Sequence, residues 1–588
     1  MALSRTCVGL ALTAAAASFL LRPADAQVLP TDAQPTCAIP PATFNAMFES
    51  GSVTLNGVVK PANSTLSLDP PPINCPFFTW SEQMFLWLTS PAPSRYGGGG
   101  RIMFSPSFYT VSPPIPGAGS PDDWRRNFIR NNPRLPIRMQ LRTTELGPHF
   151  RPVVLARTGQ VVEVTRPPRG AALPLVRLRT GATVRIGDVR RTPAGALQFL
   201  DTRGRTVPAQ IRPLPRLQRT MVRMPTGERM PVVSMTSVRD AIQARRFDFH
   251  GIPVFLDSSG NVIDVEPGQA DSGVLLSQNN SLVYYIIEVN DVFAWHRTMQ
   301  GPGLIPDPTP ILFPLNMANA NAVVAFAASH GATIVDPEAL AIETKSSWIV
   351  SSAVSNPGDY VTVRATVPTF DTTNPNEWVA NGETTVTLVM VGLHVVGSTL
   401  GHGEMVWATY EHFGNAPNVA YNYNGTVGPN PKTVPFNPAG SWLFTPSGSA
   451  GPFNAMHASW DVTTGHIVGI PGGSPVASTP VARMHPFGTD PANAALNTQV
   501  ISANVSRINQ LAPGDVRRNY FQLGTTWTIG GASPSGGNQV GTNRLANATI
   551  ETFVQADPPA NPGTNCFSCH GSNTVAVSHI YRQMNPLP

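Results

Sequence analysis

Near the end of a 588-residue chain stands Cys566-Phe567-Ser568-Cys569-His570, with 18 residues after it. Cys-x-x-Cys-His is the attachment pattern of c-type haem. Its spacing has a chemical reason: two thiols add to the two porphyrin vinyl groups, and the next residue brings an imidazole under the iron. Cys566 and Cys569 are therefore read as covalent anchors and His570 as the proximal ligand of one haem c. The position of the motif constrains the fold. A tail over 541–588 is too short to bury a porphyrin by itself, so a larger body has to supply one wall of the pocket. Other readings fit less well. A zinc site needs two further ligands, and the chain has no second Cys-x-x-Cys pair. A thioredoxin-like site opens a helix after a strand, whereas this motif follows Asn561-Pro562-Gly563-Thr564-Asn565.

The N-terminus points to an oxidising compartment. Arg5 precedes an apolar run from Val8 to Leu21, and Ala24-Asp25-Ala26 forms a small-x-small cleavage site before Gln27. Residues 1–26 thus read as a signal peptide cleaved after Ala26, giving a periplasmic or secreted bacterial protein. No later stretch reaches the ~20 apolar residues of a membrane helix, so no transmembrane anchor is expected. Cytochrome c maturation takes place outside the bacterial cytoplasm, so signal and motif agree. Of the five cysteines, Cys7 leaves with the signal and two sit in the motif. Cys37 and Cys75 remain, and a lone pair in an exported chain is read as a disulfide.

Charged residues make up 13% of the chain, against 50 Gly and 60 Pro. This balance favours short strands and many turns. The expected fold class is mainly β, with a β-sandwich body, a small Arg-rich β module and a short helical haem segment at the C-terminus. Residues 27–120 read as a Pro-rich segment with one buried helix over Phe77–Leu88, where Trp80, Met84, Trp87 and Leu88 recur at helical spacing. Residues 121–250 hold 25 arginines against nine acids, and runs at 158–164 and 180–186 alternate as hairpin strands do. The body is expected over 251–540. Its strands are read at 281–289, 360–367, 384–396 and 404–413, with a helix near Ala318–His330 and loop-rich chain from 430 to 540. The 384–396 run is apolar on both faces, as a doubly covered central strand would be. Leu545–Val554 reads as an amphipathic helix leading to the motif.

Two groups of polar residues complete the site reading. For the distal iron ligand, His579 comes first and Met584 second, with a body residue or an open position as the other choices. A helix over 574–584 would put Val577, Ile580, Tyr581 and Met584 on one face and His579 off it. His394, His402, Glu404 and His412 form a possible secondary cluster. Three imidazoles and a carboxylate suit copper, zinc or iron, and they equally suit a haem pocket lining or structural hydrogen bonds.

Several stretches resemble a group of exported bacterial proteins with a single C-terminal c-type haem motif, the monohaem cytochrome c family. They are Leu393–Ser398, Gly401–His412, Leu545–Phe553, the haem motif and Ser578–Tyr581. The resemblance covers about half of the chain and leaves out the Arg-rich segment. It implies haem and export but no reaction. Single-electron transfer with a partner is the leading expectation. A haem enzyme acting on peroxide or a small organic molecule is the alternative, and a haem-bearing binding or sensing protein the third. The Arg-rich segment would dock an acidic redox partner or an anionic envelope component. Nucleic acid is excluded as a partner, because an exported chain without a recognition motif has no use for it.

Overall fold

In the computed structural model the described residues are 29–64, 68, 74–111, 126–131, 273–301, 313–461, 466–484, 491–535, 537–542, 545–554, 566–570, 578 and 580–587, with short strands and one turn between 137 and 263. Residues 1–26, read above as a signal peptide, His579 and most of the Arg-rich segment lie outside them.

In chain order the main sheet comprises β1 (Phe108–Val111), β2 (Phe128–Arg130), β3 (Tyr284–Asn290), β4 (Ile342–Val350), β5 (Thr362–Asp371), β6 (Glu377–Thr399), β7 (His402–His412), β8 (Tyr520–Thr528) and β9 (Gln539–Gly541). Their spatial order is β2-β1-β3-β4-β6-β7-β8-β9, all antiparallel. At 23 residues β6 is long enough to serve four neighbours; the hairpin of Ala458–Asp461 and His466–Gly469 joins the sheet at its start, where Glu377 pairs with Val468, and Ile137–Arg138 pairs with β5. The first half of β6 pairs with β5 (Val379–Val389), and its second half lies between β4 and β7. Of the apolar stretch at 384–396, residues 388–396 are buried and paired with β4 on one side and with β5 or β7 on the other, whereas Thr384, Thr385 and Thr387 are exposed and paired with β5 alone.

α1 (Pro41–Met47) and α2 (Cys75–Leu88) precede the sheet; α3 (Asp291–Met299), α4 (Met317–Ser329) and α5 (Ala494–Gln510) interrupt it; α6 (Cys566–His570) follows it. α3, α4 and α6 cluster with Val396 and Met405, and the opposite face, carrying Val395, Val406 and Tyr410, is covered by α2 and α5. α2 is buried nearly all round, with Phe77, Phe78, Trp80, Met84, Phe85 and Trp87 each at most 1% exposed. That is the pattern of a core helix, wider than a single apolar stripe. Phe85 stacks on Tyr410 of β7 and Phe77 on Trp527 of β8. Burial of each such side chain stabilises the fold by about 1.5–3 kcal/mol. The Cys37–Cys75 disulfide forms, with Cα atoms 5.1 Å apart, and ties the N-terminal segment to the start of α2. The mainly β body is as expected; α2 and α5 supply the layer packed on this face.

Three helical expectations need correction. α5 falls in the stretch read as loop-rich. Its buried face mixes Val500, Ile501 and Ile508 with Asn497, Thr498, Ser502, Asn504 and Arg507, so polar side chains break up the apolar stripe. Asn504 instead bonds both the N–H and the C=O of Gln522 on β8, and Arg507 donates to the carbonyls of Arg517 and Tyr520. α3 was also unexpected; Asn290 caps it by accepting from Phe293 N–H at 3.1 Å. Conversely, Leu545–Val554 holds no α-helix, only a 3₁₀ turn at Thr552–Val554. There Asn547 Oδ1 accepts from both the N–H and the hydroxyl of Thr549, a local bond that competes with helix.

In the Arg-rich segment Val153–Leu155 pairs with Val161–Glu163, Leu175–Arg177 with Thr183–Arg191, and Thr220–Arg223 with Arg229–Val232. Phe128–Arg130, inside the expected limits of that segment, joins the main sheet as its edge strand β2.

Candidate functional site

The second face of the sheet is where the C-terminal tail lies. Register places Lys345, His394 and Thr409 side by side across β4, β6 and β7, with Glu343, Val396 and Trp407 in the next row. A third row, Ser347, Gly392 and Glu411, receives the turn at Asn547–Thr549. Asn547 Nδ2 donates to Thr409 Oγ1 and to Tyr410 O, Thr549 Oγ1 meets Ser347 Oγ at 2.7 Å, and Ala548 N–H donates to Glu411 Oε1 at 2.6 Å. Gly392 makes this approach feasible. A Cβ there would stand 2.5 Å from Thr549 Oγ1 and 2.6 Å from Ser347 Oγ.

Beyond this turn the motif forms the single helical turn α6. Positions i, i+3 and i+4 share a helix face, so Cys566, Cys569 and His570 are neighbours by backbone position. Phe567 is buried in a cluster with Val289, Phe293, Val396, Met405, Tyr581 and Met584, and its N–H donates to Gln539 Oε1 of β9 at 3.0 Å. The His570 ring meets Trp407 of β7 edge-on, with centroids 4.4 Å apart. The body thus supplies a wall to the motif, as the shortness of the tail requires.

The sheet carries unusual charge at this point. His394 Nε2 bonds Glu551 Oε1 at 2.5 Å, and Glu551 Oε2 accepts Asn547 N–H. Burial alone would raise the Glu551 carboxyl, but His394 and Lys345 outweigh it and hold the group below its ordinary range. Glu343 accepts from Ser578 Oγ at 2.6 Å, and burial pushes its carboxyl up to about 7. Burial lowers the Lys345 ammonium, and burial with the nearby Glu551 charge pushes the Cys566 thiol up to about 12. Each of these groups sits deep in the body. Even so, Glu343, Lys345, Trp407, Cys566 and His570 keep some exposed surface, and so does the Glu551 side chain (25%). Deep side chains that retain surface border a recess, here between the sheet and the tail.

Met584 is fully buried in the Phe567 cluster, its backbone bridged to Arg126. Nearby, Tyr581 bonds His296 at 2.9 Å and its carbonyl accepts from Arg297. The secondary cluster does not assemble. His394 faces the tail, while His402, Glu404 and His412 face the helices. His402 Nδ1 bonds Glu404 Oε1 at 2.8 Å, but His412 lies ten residues along β7, about 30 Å away at strand rise, where it stacks on Tyr360. Among the described residues no group of three or more His, Cys, Asp or Glu could hold a metal ion. Glu343, Lys345 and Glu551 were not singled out from sequence. The alternation of Glu343, Lys345 and Ser347 along β4 was the available signal, and it does not reveal what faces them. Among the described residues no helix is long and apolar enough to cross a membrane. No family model, curated protein or solved structure matches this chain.

Proposed function

We propose that the chain is an exported monohaem c-type cytochrome that passes single electrons to and from a partner. The observation that carries this reading is the placement of Cys566, Cys569 and His570 on one face of α6, at a recess walled by Trp407 of β7. The donor set suits a covalently attached haem, which when bound supplies a one-electron iron couple. Cys566 and Cys569 would hold the porphyrin and His570 its iron, while Phe567 pins the turn to the body. Met584 and His579 are the distal choices; a thioether would raise the potential relative to a second imidazole. The Cys37–Cys75 disulfide supports export. The polar side chains around the recess favour one second reading, a haem enzyme with a small substrate held beside Lys345 and Glu551.

Expression with cytochrome c maturation machinery should give a band that stains for haem after denaturing electrophoresis, and Cys566→Ser with Cys569→Ser should abolish it. In the intact protein a low-spin iron indifferent to carbon monoxide is the expected spectrum. A high-spin iron that binds carbon monoxide would move the assignment to the enzyme.

A further inference from the structure

Around the recess the carboxylates are engaged by hydrogen bonds, and one cation is not. Both oxygens of Glu551 are engaged, one by His394 and the other by Asn547 N–H, and Glu343 is engaged by Ser578. Lys345 lies between these carboxylates with Arg126 as a second cation nearby. Its ammonium rests over the Tyr285 ring at 5.4 Å and has no hydrogen-bond acceptor among the described residues. Part of the side chain is open to solvent, so an ammonium with no protein acceptor there is suited to an incoming anion.

We propose that Lys345 is the counter-ion of a haem propionate and so fixes the porphyrin edge remote from the thioether bonds. This rests on the haem reading above. Register supports the reach. Lys345 lies two strands from Trp407, the neighbour of His570, and one row along the sheet, which at strand spacing separates their Cα atoms by about 12 Å. A porphyrin ligated by His570, with its propionate arm and the lysine stem, spans that gap. His394 acts as a positioning residue: by occupying Glu551 it keeps that carboxylate from capturing the ammonium.

Composition offers a direct test, because the chain contains three lysines, Lys60, Lys345 and Lys432. Protein labelled with 15N-lysine should show one Nζ signal, absent in Lys345→Met, that exchanges slowly and moves when the iron changes oxidation state. In Lys345→Met the propionate-bending Raman band should shift and the midpoint potential fall, and Lys345→Arg should restore both. The assignment is overturned if no lysine signal responds to the iron, or if the propionate band of Lys345→Met matches the wild type. A fall in potential with an unmoved propionate band would mark Lys345 as a remote charge and equally reject the contact. If Lys345→Met fails to accumulate, the labelled wild-type spectrum decides alone. Wild-type protein without covalent haem would overturn the reading of the motif and this assignment with it, a result visible on the stained gel.

Discussion

Glu411→Gln tests how the tail is held to the body. The Glu411 side chain is fully buried. Its Oε2 accepts from Arg483 Nε at 2.6 Å, and its Oε1 takes Ala548 N–H from the tail turn. Arg483, 1% exposed, also donates to Asn418 Oδ1 and to the carbonyls of Ala416 and His412. The amide keeps the shape and one acceptor but removes the charge that balances the guanidinium. Breaking a buried pair from one side costs about 3–5 kcal/mol, because the other charge stays behind uncompensated. Guanidinium unfolding, followed by tryptophan fluorescence, should give a midpoint lowered by that free energy divided by the slope, with the slope itself unchanged. Adding Arg483→Met should recover part of the loss, since the orphaned charge is then gone. A Glu411→Gln loss under about 1 kcal/mol, the range of an exposed pair, would refute the view that this pair is dry and structural.

Gly392→Ala should destabilise by about 1–3 kcal/mol through overpacking against Thr549 and Ser347, read from thermal melts; on the proposed haem reading the Soret band broadens as well, because the tail loses its seat. Replacing Cys37 and Cys75 with serine should cost about 4 kcal/mol on the chain-entropy model for a separation of 38 residues, read from denaturant midpoints. Burial pushes the Glu288 carboxyl up to about 8, beside Thr110 and Asn131. Folded Glu288 therefore keeps a proton that the unfolded chain has released. Its contribution is complete below about 4.5 and is lost as pH rises through about 8, so Glu288→Gln should flatten the stability profile across that window. An unaltered profile would show that the carboxyl titrates as it does in water.

Legibility along this chain followed the range of the interaction that carries each feature. The haem motif depends on residues within one helical turn, so spacing alone placed Cys566, Cys569 and His570 on a common face. The apolar runs that became β6, β7 and α2 were readable because burial leaves a period in neighbouring residues. α5 was missed because buried polar side chains interrupt its apolar face, and those of Asn504 and Arg507 complete the hydrogen bonds of β8 and the chain before it. Histidines near one another in sequence were drawn together as a cluster, yet β6 turns His394 to the tail and β7 carries His402 and His412 to opposite ends of a strand. The recess is the converse case. Lys345, His394, Glu551 and Ser578 come from two neighbouring strands and two parts of the tail, and no local pattern relates them. They meet because antiparallel pairing sets the rows of the sheet and Gly392 lets the tail approach; Lys345 pairs with His394 far along the chain, and the tail contact of Ser347 with Thr549 joins residues 202 positions apart.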